Sequence, residues 1–318
     1  MPRARPYGHR VDSSRVVMVG SLREELVGPL QRVHGARELA DLGAEEAAAV
    51  RVAVTSGVFG VRREHLDRLP GLEAVVSFGV GHDSTDVEEA ARRGVVVANT
   101  PDVLTDCVAD AAVGLVIDVM RGLSAADRFV RRGEWAAGSV PALARRVTGA
   151  RVGILGLGRI GLAIARRLEG FATSISYHNR RERADVTYAY VPDLRALAAV
   201  SDVLVVAAAG GEESRGMVDA SVLDALGPDG FIVNVARGSV VDEAALVDAL
   251  EQRRIAGAGL DVFADEPHVP DALLGRDDVV LLPHLASATV ETRQAMVELV
   301  LANVTAYLER GELVTPVC

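Results

Sequence analysis

Arg151-Val152-Gly153-Ile154-Leu155-Gly156-Leu157-Gly158-Arg159-Ile160-Gly161 is the stretch whose reading decides the fold. A β-rich run passes through three glycines into Leu162-Ala163-Ile164-Ala165-Arg166-Arg167-Leu168, which has the spacing of a helix. Gly156 allows a sharp turn, Gly158 lets backbone approach a pyrophosphate with no Cβ between them, and Gly161 lets helix and strand pack closely. The N–H groups at the helix start then face the phosphates, and the helix dipole adds favourable charge. In a chain with 31 glycines such spacing alone is weak. Its context makes it specific, because a second strand-like run, Thr173-Ser174-Ile175-Ser176-Tyr177, follows the helix. A dinucleotide site on Gly156, Leu157, Gly158, Arg159 and Ile160 is therefore expected, with a merely tight structural turn as the alternative.

Outward from this stretch the chain keeps an αβ rhythm. Before it, Val16-Val17-Met18-Val19, Arg51-Val52-Ala53-Val54, Ala74-Val75-Val76-Ser77-Phe78 and Val95-Val96-Val97-Ala98 alternate with helical runs such as Ala44 to Ala49 and Asp86 to Arg93. That pattern predicts a parallel sheet with crossover helices. Gly79-Val80-Gly81 closes the third run, offering backbone N–H groups at a strand's carboxyl end, where open α/β sheets bind ligands; a plain strand-to-helix turn is the alternative. Asn99-Thr100-Pro101-Asp102 breaks the pattern, and a long helix follows with Val108, Ala111, Ala112, Leu115, Val116 and Val119 on one face. A domain crossing is placed there.

Beyond the glycines, strands are expected at 201–206, 230–235, 256–260 and 279–282, completing a doubly wound sheet. A last helix carries Val297, Val300, Leu301, Val304 and Leu308, with Gly311 as its stop, and is expected to return to the first domain. The stretch from Ser124 to Arg146 holds the only tryptophan, Trp135, and reads either as a solvated connector or as an arm gripping a second subunit.

With 318 residues and a 49% hydrophobic share, two domains and a large core are expected. A net charge of -10 argues against nucleic acid or an anionic membrane surface as partner. Two cysteines, Cys107 and Cys318, speak against a disulfide framework and for a reducing compartment. The opening Met1 to Arg10 is basic without an apolar run behind it, so a frayed start and a cytoplasmic protein are expected. No metal-ligand spacing appears.

Three polar residues stand just past strand ends: Arg237 after Asn234-Val235-Ala236, Glu266 within Asp261-Val262-Phe263-Ala264-Asp265-Glu266-Pro267, and His284 after Leu281-Leu282-Pro283. Arginine's planar fork suits a carboxylate. A proton-transferring histidine works best with a pKa near ambient pH, which a neighbouring carboxylate tunes. Singly, each has a bland explanation: a helix cap, a solvated acid, a core histidine. Jointly they fit reduction of a 2-oxo acid, with His284 giving the proton, Glu266 orienting it and Arg237 gripping the substrate.

The four segments 153–161, 234–243, 260–267 and Pro283-His284 resemble, in order and spacing, the D-isomer-specific 2-hydroxyacid dehydrogenase family. Within it the chain looks most like the glyoxylate/hydroxypyruvate reductase and hydroxyphenylpyruvate reductase branch, through residues 99–106 and the basic run Asn179-Arg180-Arg181. The resemblance implies an α/β fold of two Rossmann-like or flavodoxin-like parallel-sheet domains with the active site in the cleft between them. It implies a discontinuous substrate-binding domain, 1–100 and 288–318, around a dinucleotide-binding domain, 101–287. Arg237, Glu266 and His284 become the catalytic set. Val80 and Gly81 join Arg237 and His284 in holding substrate, and Val235, Ala236, Arg237 and Asp261 join the cofactor contacts. A homodimer through the nucleotide-binding domain is expected. Two departures stand out: Ala286, where many members have glycine, and Ala208-Ala209-Gly210-Gly211, where many carry proline and threonine.

An NAD-preferring site places an acid about 20 residues past the glycines. Here the sequence is Tyr177-His178-Asn179-Arg180-Arg181, an amide and two guanidinium groups suited to a 2′-phosphate. NADPH is the expected cofactor, with NADH possible. An NAD-linked phosphoglycerate-type dehydrogenase and a nucleotide-sensing corepressor on the same fold remain alternatives.

Overall fold

The structure, a computed structural model, describes residues 15–317. The expected frayed start and Cys318 lie outside the described residues. Chain packing divides the protein into two units, one running through Leu104 and resuming at Thr289, the other Thr105–Ala288.

The first unit is built on β1 (Val16–Met18), β2 (Arg37–Glu38), β3 (Val52–Ser56), β4 (Ala74–Phe78) and β5 (Val96–Ala98), in the order β2-β1-β3-β4-β5. Every pairing is parallel. The central strands β1, β3 and β4 are buried along nearly their whole length, as parallel strands covered by helices are, and Thr55 and Ser77 are the polar residues buried within them. The order is flavodoxin-like. β2 was not legible in the sequence, since two residues at a sheet edge carry no period. The Val290–Arg310 helix closes this unit, with Met296, Val297, Val300, Val304 and Tyr307 buried and Gly311 ending it in the left-handed region. It packs on β3, β4 and the Glu24–His34 helix. Leu301 and Leu308, read as core-facing, are only half-buried; the fully buried Asn303 holds the chain end instead, taking the N–H groups of Val314 and Thr315.

The division between units falls after Leu104 because the segment before it is bonded into the first unit. Thr100 exchanges hydrogen bonds with Gly79 through its N–H and its hydroxyl, and Asn99 Nδ2 donates to the Val80 carbonyl at 2.7 Å.

The second unit carries β6 (Arg151–Leu155), β7 (Ser174–His178), β8 (Ala189–Tyr190), β9 (Val203–Val206), β10 (Phe231–Asn234), β11 (Gly257–Leu260) and β12 (Val279–Leu281), in the order β12-β11-β10-β9-β6-β7-β8. The sheet is parallel and doubly wound, and the chain reverses direction across it between β6 and β9. β8, again a two-residue edge, escaped the sequence. The Thr105–Arg121 helix buries Val108, Ala109, Ala112, Leu115, Val116 and Val119 against β10, β11, β12 and the Arg159–Leu168 helix. Ala111, expected on this face, is half-buried. Past the Leu123–Arg131 helix, residues 132–146 are almost wholly exposed, with Trp135 at 68%. Among the described residues no helix is long and apolar enough to cross a membrane.

Candidate active site

The switch between β6 and β9 is where open α/β sheets bind ligands. Gly156 follows β6 with φ +95°, and a Cβ on it would lie 2.5 Å from the Ala208 backbone after β9. No side chain fits that conformation and that gap. The helix begins at Arg159, earlier than its apolar spacing suggested, with Gly158 as its N-cap. Nothing lies within 4 Å of where a Gly158 Cβ would be, and no described acceptor takes the N–H of Gly158 or Ile160. Open space with unpaired amides at a ten-residue helix N-terminus suits a dinucleotide pyrophosphate. Leu157 differs, because its N–H already donates to Asn179 Oδ1 at 2.7 Å.

Asn179 sits just past β7 and thus braces the glycine turn while leaving its amide nitrogen without a described acceptor. Arg180 and Arg181 are exposed beside it, and Arg180 Nη1 pairs with Glu213 Oε2 at 2.5 Å.

Arg237, Glu266 and His284 follow β10, β11 and β12, three adjacent parallel strands, so topology alone brings them to one edge. His284 Nδ1 lies 2.7 Å from Glu266 Oε2, with both side chains partly exposed. The other Glu266 oxygen accepts the Phe263 N–H at 3.1 Å. Burial works to raise the Glu266 carboxyl, but the hydrogen bond and charge of His284, the Phe263 N–H and the Arg237 guanidinium outweigh it and hold the group below its ordinary range. Arg237 is placed by Asn234, buried at the end of β10, whose amide donates to the Arg237 carbonyl and accepts from the Ala236 N–H. Its guanidinium Nη1 donates to the Ala236 carbonyl at 2.8 Å. Val235 and Ala236 are buried in the same turn.

Asp261 carries a structural duty that the sequence did not show. It is 1% exposed, its carbonyl accepts the His284 N–H, and its carboxylate accepts the N–H groups of Leu285 and Ala286. This cradle holds His284 at φ +50°, a conformation that costs a non-glycine residue about 1 kcal/mol or more and that aims its ring. Burial raises the Asp261 carboxyl, with the Glu266 charge adding, against the two amides and His284.

In the first unit, Val80 and Gly81 follow β4, half-buried, and no described acceptor takes either N–H. Gly57, after β3, lies against them; a Cβ on it would meet the Gly81 carbonyl at 2.9 Å. Three other described histidines serve structure: His34 is buried, His65 accepts the Arg62 N–H, and His178 Nδ1 meets the Val191 carbonyl; His82 and His268 are exposed. Among the described residues no group of three or more His, Cys, Asp or Glu could hold a metal ion.

Residues 113–286 match the NAD-binding domain of the D-isomer-specific 2-hydroxyacid dehydrogenases. The chain belongs to this family. The dehydrogenase is 49% identical over 271 residues, 85% of its length and 87% of the relative's, to 2-ketogluconate reductase of Gluconobacter oxydans. It is 47% identical to hydroxyphenylpyruvate reductase of Plectranthus scutellarioides, over 87% of this chain and 88% of that one. A crystal structure of an NADPH-dependent glyoxylate/hydroxypyruvate reductase from Sinorhizobium meliloti, in complex with NADP and malonate, aligns with TM-score 0.91 and 45% identity, over 98% of this chain and 97% of that one. The dehydrogenase thus falls in the reductase branch its motifs resembled, and it is an enzyme with two parallel-sheet α/β units.

Proposed function

We propose that this dehydrogenase reduces a small 2-oxo acid of the glyoxylate or hydroxypyruvate type to its D-2-hydroxy acid, with NADPH preferred and NADH tolerated. The observation that carries the reading is the His284–Glu266 pair at 2.7 Å, set beside Arg237 on three neighbouring strand ends. A bound reduced nicotinamide supplies the hydride for the carbonyl carbon. His284 Nε2 gives the proton to the carbonyl oxygen, and Glu266 at Nδ1 steadies the charged imidazole beforehand. Arg237 grips the substrate carboxylate through its planar fork, and the N–H groups of Val80 and Gly81 serve as further donors to that carboxylate.

Cofactor contacts in this reading are Gly156, Leu157, Gly158, Arg159 and Ile160 at the pyrophosphate, and Asn179, Arg180 and Arg181 at the 2′-phosphate. Val235, Ala236 and Asp261 line the nicotinamide end. The substrate-binding role falls to the unit that runs through Leu104 and resumes at Thr289, a few residues from the expected bounds of 1–100 and 288–318, and the dinucleotide-binding role to Thr105–Ala288, expected as 101–287. The arm past Leu123, with exposed Leu123, Val130 and Trp135, supports a homodimer through the nucleotide-binding domain. Family kinship and the low cysteine count support a cytoplasmic setting. The likeness to 2-ketogluconate reductase favours a longer sugar acid as a second substrate reading.

NADPH oxidation measured with glyoxylate, hydroxypyruvate, hydroxyphenylpyruvate and 2-ketogluconate tests the proposal. Turnover with the first two is expected, lost by about a hundredfold or more in His284→Asn. A flat trace with all four overturns it, and sedimentation as a monomer removes the dimer.

A further inference from the structure

Leu157 stands in the middle of the glycine turn, and both of its backbone polar groups are held by side chains from the segment after β7. Its N–H donates to Asn179 Oδ1 at 2.7 Å, and its carbonyl accepts from Arg183 Nη1 at 2.8 Å. Arg183 is itself fixed. Its Nε and Nη2 meet the two Asp185 oxygens at 2.9 and 2.5 Å, and its backbone N–H donates to the hydroxyl of the fully buried Tyr177 at 2.8 Å. Neither Arg183 nor Asp185 belongs to the basic run read as the 2′-phosphate site.

From this geometry we infer that Arg183 is a positioning residue for the dinucleotide: its guanidinium, steered by Asp185, fixes the Leu157–Gly158 peptide so that the Gly158 N–H is aimed at the pyrophosphate. The inference rests on the dinucleotide reading above. In a trans peptide the Leu157 carbonyl and the Gly158 N–H lie in one plane and point in opposite directions, so anchoring the first orients the second. Asn179 does the same for the preceding peptide. A turn flanked by glycines samples many conformations when unheld, and each competes with the binding geometry. A charge-assisted bond to the carbonyl removes that competition before ligand arrives. Both nicotinamide cofactors share the pyrophosphate, so the clamp serves them equally, whereas Arg180 beside it discriminates between them.

The test is calorimetric binding of ADP-ribose and 2′-phospho-ADP-ribose to the full-length chain, wild type and variants. Arg183→Met is expected to weaken both ligands by the same factor, on the order of tenfold. Arg183→Lys, which keeps the charge without the fork, should fall between. Asp185→Asn should weaken both by a smaller common factor, and it decides the matter if Arg183→Met does not fold. At saturating NADPH, kcat should stay within about twofold of wild type while KM rises by the binding factor. Weakening of the 2′-phosphorylated ligand alone overturns the inference, because Arg183 would then be a direct phosphate ligand. Unchanged binding of both with a lowered melting temperature also overturns it, leaving a purely structural role. Wild-type protein that binds neither ligand removes the dinucleotide reading, and the clamp with it.

Discussion

Glu266 meets His284 at Nδ1, at 2.7 Å, which leaves Nε2 as the ring nitrogen able to face a substrate. Replacing Glu266 by Gln keeps the shape and removes the charge that favours the imidazolium. With the ring no longer held by a charged partner at 2.7 Å, kcat for 2-oxo acid reduction should fall by roughly ten- to a hundredfold. Steady-state rates of the variant check this, and a wild-type kcat would show that Glu266 only packs.

The same carboxyl links folding to pH. Its folded value lies below the ordinary one, so its contribution is present above the unfolded pKa of about 4.3 and is lost as pH falls through the folded value. Asp261 has the opposite sign. Its raised folded value contributes stability below about 3.9, lost as pH rises through the folded value. Urea unfolding at several pH values should therefore show Glu266→Gln losing its deficit against wild type in acid.

Asp261→Asn keeps the size but sets an NH2 group against one of the two amides that the carboxylate now accepts from Leu285 and Ala286. Leaving a buried donor unmatched costs about 1–3 kcal/mol. The variant should melt earlier and reduce its substrate more slowly, because the left-handed His284 backbone loses its cradle. A wild-type rate in a destabilised variant would separate the cradle from catalysis.

Arg180 is engaged by Glu213 on the loop after β9, and both side chains are largely in solvent. A 2′-phosphate must share or displace that carboxylate. Exposed pairs are weak, so Glu213→Gln should tighten NADPH only about two- to fivefold and leave NADH unchanged. Arg180→Glu should raise KM for NADPH far more than for NADH. Competitive titrations at low salt read both effects, and equal changes for the two cofactors would remove Arg180 from 2′-phosphate recognition.

Gly161→Ala tests the packing under the glycine turn. The new Cβ would lie 2.1 Å from the Gly156 carbonyl oxygen, so helix and strand must separate. A loss of about 1–3 kcal/mol in unfolding free energy is expected, with weaker ADP-ribose binding. Wild-type stability would mean that the turn yields more easily than its geometry suggests.

How much of this was legible in the sequence follows from where each signal lives. The strands β4 and β6, the glycine turn and the stop at Gly311 announce themselves through local rules: β-branched runs, residues without a Cβ, a helix C-cap. The positions of Arg237, Glu266 and His284 just past apolar runs were equally plain, since a parallel sheet puts every such position on one edge. The two-residue strands Arg37–Glu38 and Ala189–Tyr190 were not, because pairing at an edge depends on the neighbouring strand rather than on their own pattern.

By itself, then, the sequence determined the α/β architecture, the glycine turn and the identity of the polar residues at the strand ends, because backbone sterics and burial act over a few residues. Tertiary structure alone decided what those residues touch. Only folding brings Asp261 under the His284 backbone, Arg183 onto the Leu157 carbonyl, and Asn303 onto the chain end, for a hydrogen bond between distant segments leaves no periodic trace along the chain.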